Sequence, residues 1–229
     1  MKKHIYALIA LLSFAGPFAM SFDRKVYFIQ YLPAIAIATL SIGALYIIWD
    51  VFVTRAGHWR FNDETVGSFR IAHLPVGEWL FFLLIPYPSI FIYEVVAAYF
   101  PATQTAPDTG LAWLHFVLAG LFTLLAIPAR KRGYTMLAMV SAAIYFAASG
   151  IFTPGVIAVP GYLLSMGLIF IAFIVINGLY TSIPTIFYSD TAILGIRAGS
   201  IPLEDFVYNL SYIGLSLTVY LEAKLLLGL

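Results

Sequence analysis

The sequence predicts an all-α polytopic membrane protein of about seven transmembrane helices, built as two parallel three-helix repeats joined by a linking helix. Three observations carry that expectation. The 229 residues are 62% hydrophobic, 17% aromatic and only 10% charged, with mean hydropathy +0.95, a balance that no soluble domain shows. Apolar stretches of the length a bilayer core demands, roughly 20 residues per helix, recur along the whole chain. Two long polar loops match each other when the chain is slid along itself.

The apolar stretches fall at 4–21, 27–49, 76–100, 110–128, 134–152, 157–180 and 203–227. The first also resembles a secretory signal, with Lys2 and Lys3 before an apolar run and small residues near Ala19, although Ser21 to Val26 reads as a short turn into the next span. With seven spans, Lys2, Lys3, Arg55, Arg60, Arg70, Arg130, Lys131, Arg132 and Arg197 share one side, and only Arg24, Lys25 and Lys224 the other. That bias places the amino terminus in the cytoplasm, as expected of a bacterial inner-membrane protein. The polar loops 50–75 and 181–202 then lie on the same cytoplasmic face.

The repeat is read from those loops. An offset of 127 residues pairs Asp50 with Asn177, Arg70 with Arg197, Pro75 with Pro202, Glu78 with Asp205, Trp79 with Phe206, Phe81 with Tyr208 and Tyr93 with Tyr220. Three spans invert the chain, so the fourth is required to restore its direction before the second unit begins, and the repeats become parallel about an axis along the membrane normal. The expected division is 1–100, 101–133 and 134–229.

Several function classes are excluded or weakened by composition. A net charge of +1 offers no nucleic-acid footprint. The absence of cysteine removes disulfides, thiolate nucleophiles and cysteine metal sites. His4, His58, His73 and His115 stand alone, without the short helical spacings a dinuclear metal site needs. No glycine-rich nucleotide turn, lysine phosphate loop or pair of aspartate-rich diphosphate motifs is present. A retinal Schiff base would require a lysine midway along the last helix, and Lys224 lies five residues from the end. No cofactor and no metal are therefore expected; the expected partners are membrane lipid and an apolar substrate.

Against that background, Trp49-Asp50, Trp59-Arg60-Phe61-Asn62, Leu74-Pro75-Val76-Gly77-Glu78-Trp79-Leu80-Phe81-Phe82, Asn177-Gly178 and Gly195 to Asp205 resemble the membrane-integral lycopene cyclases, in the form where two small subunits are fused in one chain. The resemblance extends over nearly the whole length. It implies redox-neutral closure of the linear ends of lycopene, or a related acyclic carotenoid, into β-ionone rings. At one position the chain departs from the family. The first motif there reads proline, any residue and two glutamates; here Gly77 stands in place of the first glutamate, whereas its counterpart Glu204 is intact. Three readings follow: the second repeat carries the chemistry, Glu78 substitutes, or the chain is an altered carotenoid- or lipid-binding relative.

Closing an acyclic isoprenoid end requires an acid to protonate an alkene, stabilisation of a tertiary cation, and a base to remove a ring proton, all in a dry pocket. The candidate catalytic residues are Glu204, Glu78 and Asp205, with Glu204 favoured over Asp205 because adjacent helical residues point about 100° apart. Helix capping is the competing role for all three. Candidate binding residues are Arg70 and Arg197, which tune the acids or anchor the loops; Asp50 and Asn177 at matched helix ends; the aromatic residues Trp59, Phe61, Trp79, Phe81, Phe206, Tyr208 and Tyr93, as cation hosts or packing; and Glu94, a carboxyl at membrane depth.

Overall fold

In a computed structural model that describes residues 4–229, seven long helical segments form one bundle, and short hairpins close one end of it. Lys2 and Lys3, part of the charge bias above, lie outside the described residues. The segments are α1 (Ile5–Met20), α2 (Leu32–Arg55), α4 with α5 (Val76–Leu84 and Pro86–Tyr99), α6 (Ala112–Ala126), α7 (Gly133–Phe152), α8 (Pro160–Ser182) and α9 (Leu203–Leu226), with a single turn, α3 (Asp63–Val66), in the first polar loop. Five segments are long and apolar enough to cross a membrane; α1 is apolar but has 16 residues, and the 24-residue α9 carries Glu204, Asp205, Glu222 and Lys224.

The distribution of side chains is that of a membrane protein. Large apolar residues such as Leu12, Leu40, Ile48, Leu124, Ile171 and Val175 are exposed on the outer faces, while Asp50, Glu78, Glu94, Glu204 and Asp205 are buried between helices. Water would select the reverse arrangement; hydrocarbon selects this one.

Two boundaries differ from expectation. Helix α2 continues past residue 49 to Arg55, so Asp50 lies inside a helix and not at its end. Helix α8 likewise runs on to Ser182, so Asn177 also lies inside a helix; Pro75 and Pro202 are the last residues of hairpins and directly precede the helices α4 and α9. The third span breaks at Pro86, which has no N–H to give the carbonyl of Phe82. That carbonyl is claimed instead by the hydroxyl of Tyr212 at 2.6 Å, so the break is stitched to α9. Gly43 of α2 crosses at the same point, where an added Cβ would meet the Phe82 oxygen at 2.8 Å.

The polar loops fold alike. Strands β2 (Arg70–Ile71) and β3 (Leu74–Pro75) pair Arg70 with Pro75, while β5 (Arg197–Ala198) and β6 (Ile201–Pro202) pair Arg197 with Pro202, the same register 127 residues later. Strands β1 (Trp59–Phe61) and β4 (Ile186–Tyr188) pair antiparallel with Arg60 opposite Phe187. Those two residues are also separated by 127, so each strand meets its own counterpart about a local two-fold axis, and both polar loops lie at one end of the bundle. In the bundle α1 packs on α4 as α7 packs on α9, α2 lies against both α4 and α9, α5 lies on α8, and α6 packs chiefly on α7 at the periphery.

Candidate active site

Beneath the β1–β4 pair lies a cavity between the halves. Residues related by the 127-residue offset reach it from opposite sides: Asp50 and Asn177, Glu78 and Asp205, Phe81 and Tyr208, Phe82 and Asn209. On α9, Asp205, Tyr208, Asn209 and Tyr212 recur at helical spacing and so share one face; on α4, Glu78, Phe81 and Phe82 do the same. Trp59 and Ile186 close the roof, and Tyr6, Tyr134, Tyr180, Tyr188 and Phe173 complete the wall. The duplicated acids therefore share one site instead of forming two.

The hydrogen bonding of the acids differs sharply. Asp205 is saturated: Tyr134 donates to Oδ1 at 2.6 Å, and Tyr188 and Asn177 donate to Oδ2 at 2.8 and 2.9 Å. Burial, and then the Asp205 carboxylate beside it, push the Tyr188 phenol well above its ordinary range, so it remains a donor. Glu78 is buried with Oε2 unpartnered, next to Asp50 and the phenol of Tyr6. Asp50 accepts from Thr54 at 3.3 Å through Oδ1, and its Oδ2 is also unpartnered. Trp59 Nε1, which neighbours the Asp50 carboxyl, and Asn209 Nδ2 bring to four the polar atoms on lining residues that lack a partner at hydrogen-bond distance. Native cores rarely tolerate such atoms, and a cluster of them marks a place where something else binds or reacts.

Glu204, favoured above, is not among the residues that line the cavity. It is fully buried but faces away from the cavity, where Thr135 Oγ1 and the Leu194 N–H both donate to its Oε1 at 2.6 Å. Its carboxyl pins the loop before β5 to α7, and the rotation between neighbouring helical residues that seemed to favour Glu204 delivers Asp205 instead. At the equivalent position Gly77 has no side chain, and the ring of Tyr6 takes the space: a Cβ on Gly77 would lie 2.2 Å from Tyr6 Cδ1. Tyr6 in turn packs on Tyr180 with ring centroids 4.3 Å apart.

Other expected residues also lie elsewhere. Arg70 bonds Asp63 and the Gly67 carbonyl, and Arg197 bonds the Ser200 carbonyl at 2.8 Å, so both brace hairpins and neither bonds Glu78, Glu204 or Asp205. Trp79 donates to the Ile71 carbonyl at 3.2 Å, outside the cavity. Phe61 packs among core residues, and Phe206 lies edge-on to Phe173 at 5.2 Å. Tyr93 lines a different pocket toward the far end of the bundle. Glu94 accepts from Tyr220 and Lys224, each at 2.7 Å, a buried ion pair remote from the cavity acids.

Tyr6, Tyr134, Tyr180, Tyr188, Phe173, Asn209 and Tyr212 were missed by sequence reasoning. Asn209 was readable as the offset partner of Phe82, and Tyr212 as the next turn after Tyr208. The others arrive from distant segments with no local signal.

A family model described as Lycopene cyclase matches residues 3–96 and 134–222. The matched segments bracket α6 and supply every residue that lines the cavity. No curated protein and no solved structure matches the chain. With most of its length covered by that match, the chain belongs to the lycopene cyclase family.

Proposed function

We propose that the chain is a lycopene β-cyclase that closes the linear ends of lycopene by acid–base catalysis without redox change, with Glu78 as general acid and Asp205 as the anionic partner. The observation that carries this reading is the pair of equivalent carboxyls meeting in one buried aromatic cavity with opposite hydrogen bonding. The three donors to Asp205 offset part of what burial costs its carboxylate form. The orphaned Oε2 of Glu78 is the oxygen free to carry a proton into the cavity.

The steps balance without a cofactor. Glu78 gives its proton to the terminal alkene, leaving a tertiary cation. The neighbouring double bond attacks that cation, forming the ring and moving the positive charge to an adjacent ring carbon. Loss of a ring proton restores the alkene; loss from C6 gives the β ring and loss from C4 the ε ring. Asp205 stabilises the cation and accepts that proton, which returns to Glu78 before the next turnover. The faces of Trp59, Phe81, Tyr208 and Tyr212 each stabilise a cation by about 0.5–2 kcal/mol. The excess of Lys and Arg on the side of the polar loops supports an orientation with those loops and the amino terminus in the cytoplasm.

Expression in a bacterium that accumulates lycopene tests the reading directly. The expected result is a shift from red lycopene to β- or γ-carotene, resolved by chromatography. Unchanged lycopene, with carotenoid retained by the purified protein, would support the alternative of a non-catalytic carotenoid-binding protein, the reading to which Tyr6 filling the Gly77 space lends weight.

A further inference from the structure

We infer that the substrate's polyene reaches the acids sideways from the lipid, through a groove between α5 and α8, and that the equivalent groove on the other half is sealed. The first groove adjoins the acid cavity, and Phe81, Phe173, Asn177 and Asn209 form the wall common to both. Its walls are otherwise apolar, apart from Ser89, whose hydroxyl is occupied by the Ile85 carbonyl at 3.0 Å. Exposed Ile171 and Val175 on α8 place its outer edge against hydrocarbon.

The second groove lies between α2, α7 and α9 and opens outward, with no lining residue in common with the acid cavity. It is the counterpart of the first by the 127-residue offset, with Leu45 for Ala172, Tyr46 for Phe173, Trp49 for Ile176 and Leu215 for Pro88. Trp49 stacks on Tyr208 at 4.9 Å and Tyr46 packs on Tyr212 at 4.6 Å. The Tyr46 hydroxyl is tied to Ser141 at 2.6 Å and to Ser211 at 3.1 Å. On the open side Phe173 has no hydroxyl to be tied, and Ile176 is smaller than the indole it corresponds to.

The occupant fits the groove chemically. A conjugated polyene is flat, stiff and wholly apolar, and it has a reacting end to place among acids. The lining of α8 from Ile169 to Asn177 spans about 12 Å at the helical rise. Only the end of a C40 chain lies within it, and the remainder stays in lipid. A phospholipid acyl tail is the competing occupant.

The inference rests on the cyclase reading, and the test keeps their failures apart. The full chain and the variants Ala172→Trp, Ile92→Trp and Leu45→Trp are expressed in lycopene-accumulating bacteria, with protein quantity, cyclised products and carotenoid held by the purified protein measured for each. Ala172→Trp fills the open groove, Ile92→Trp fills it from the opposite wall, and Leu45→Trp makes the equivalent change in the sealed one. Expected is a fall in cyclised product of about tenfold or more per unit protein for the first two, and a change within about twofold for Leu45→Trp. Full activity in Ala172→Trp or Ile92→Trp overturns the proposal, as does equal loss in Leu45→Trp. If the unaltered chain forms no ring, the cyclase reading fails by itself. Lycopene retained by the unaltered chain and by Leu45→Trp, but lost from Ile92→Trp, still supports the groove, whereas phospholipid alone in the purified protein overturns it.

Discussion

The two halves of the site begin from the same pattern and end in opposite states. On the first half, Gly77 leaves room for the Tyr6 ring, and Glu78 is buried beside Asp50 with an oxygen that has no donor. On the second, Glu204 fastens the loop to α7 and Asp205 receives three hydrogen bonds. An intramolecular ring closure needs a group that releases a proton and another that keeps its charge, and two carboxyls separate into those roles only when their surroundings differ. Duplication supplied the pair of acids; divergence of their neighbours supplied the difference.

The largest effect is expected from the acids themselves. Glu78→Gln should lower cyclisation by about 10³-fold or more, within the span of general acid catalysis, and Asp205→Asn by about 10²-fold, measured as product per unit protein against lycopene. If Glu78→Gln keeps its activity and Asp205→Asn loses all of it, the assigned roles are reversed. Next comes the Gly77 contrast. Gly77→Glu drives its Cβ into Tyr6, and overpacking of this kind costs about 1–3 kcal/mol. A lower melting temperature and less product are expected, both recovering when Tyr6→Ala is added; a gain in activity from Gly77→Glu alone would show that Tyr6 yields freely. The smallest effect concerns the second-half brace. Glu204→Ala leaves the half-buried Leu194 N–H and the buried Thr135 hydroxyl without their acceptor and should cost about 2 kcal/mol of stability. Glu204→Gln keeps the acceptor oxygen and should restore both stability and turnover; loss of turnover in Glu204→Gln with normal stability would return Glu204 to the chemistry.

Much of the architecture was legible in the sequence. Apolar length located the helical segments, and the 127-residue offset anticipated hairpins that turn out to share one register. Residue Asp50 misled the boundary of α2, because a carboxylate reads as a helix end unless a cavity accepts it. The site was legible in part. Offset pairs pointed to Asp50, Asn177, Glu78, Asp205, Phe81 and Tyr208, all of which line the cavity. Glu204 and Asp205 are neighbours in the chain, and the helix phase that decides between them depends on how α9 rotates against α7. Tyr6 and Tyr134 stand near the starts of α1 and α7, and nothing local distinguishes them from the aromatic residues that merely pack.

On the proposed function, a molecule with two identical ends meets one cavity, where Asp50, Glu78 and Asp205 gather at the seam of the two halves. Under the cyclase reading, a doubly ringed product is therefore not made in a single residence. The half-finished pigment must withdraw into the bilayer, reverse end for end, and return ring-last, so the ratio of singly to doubly ringed pigment reports how often released molecules are recaptured before they diffuse away.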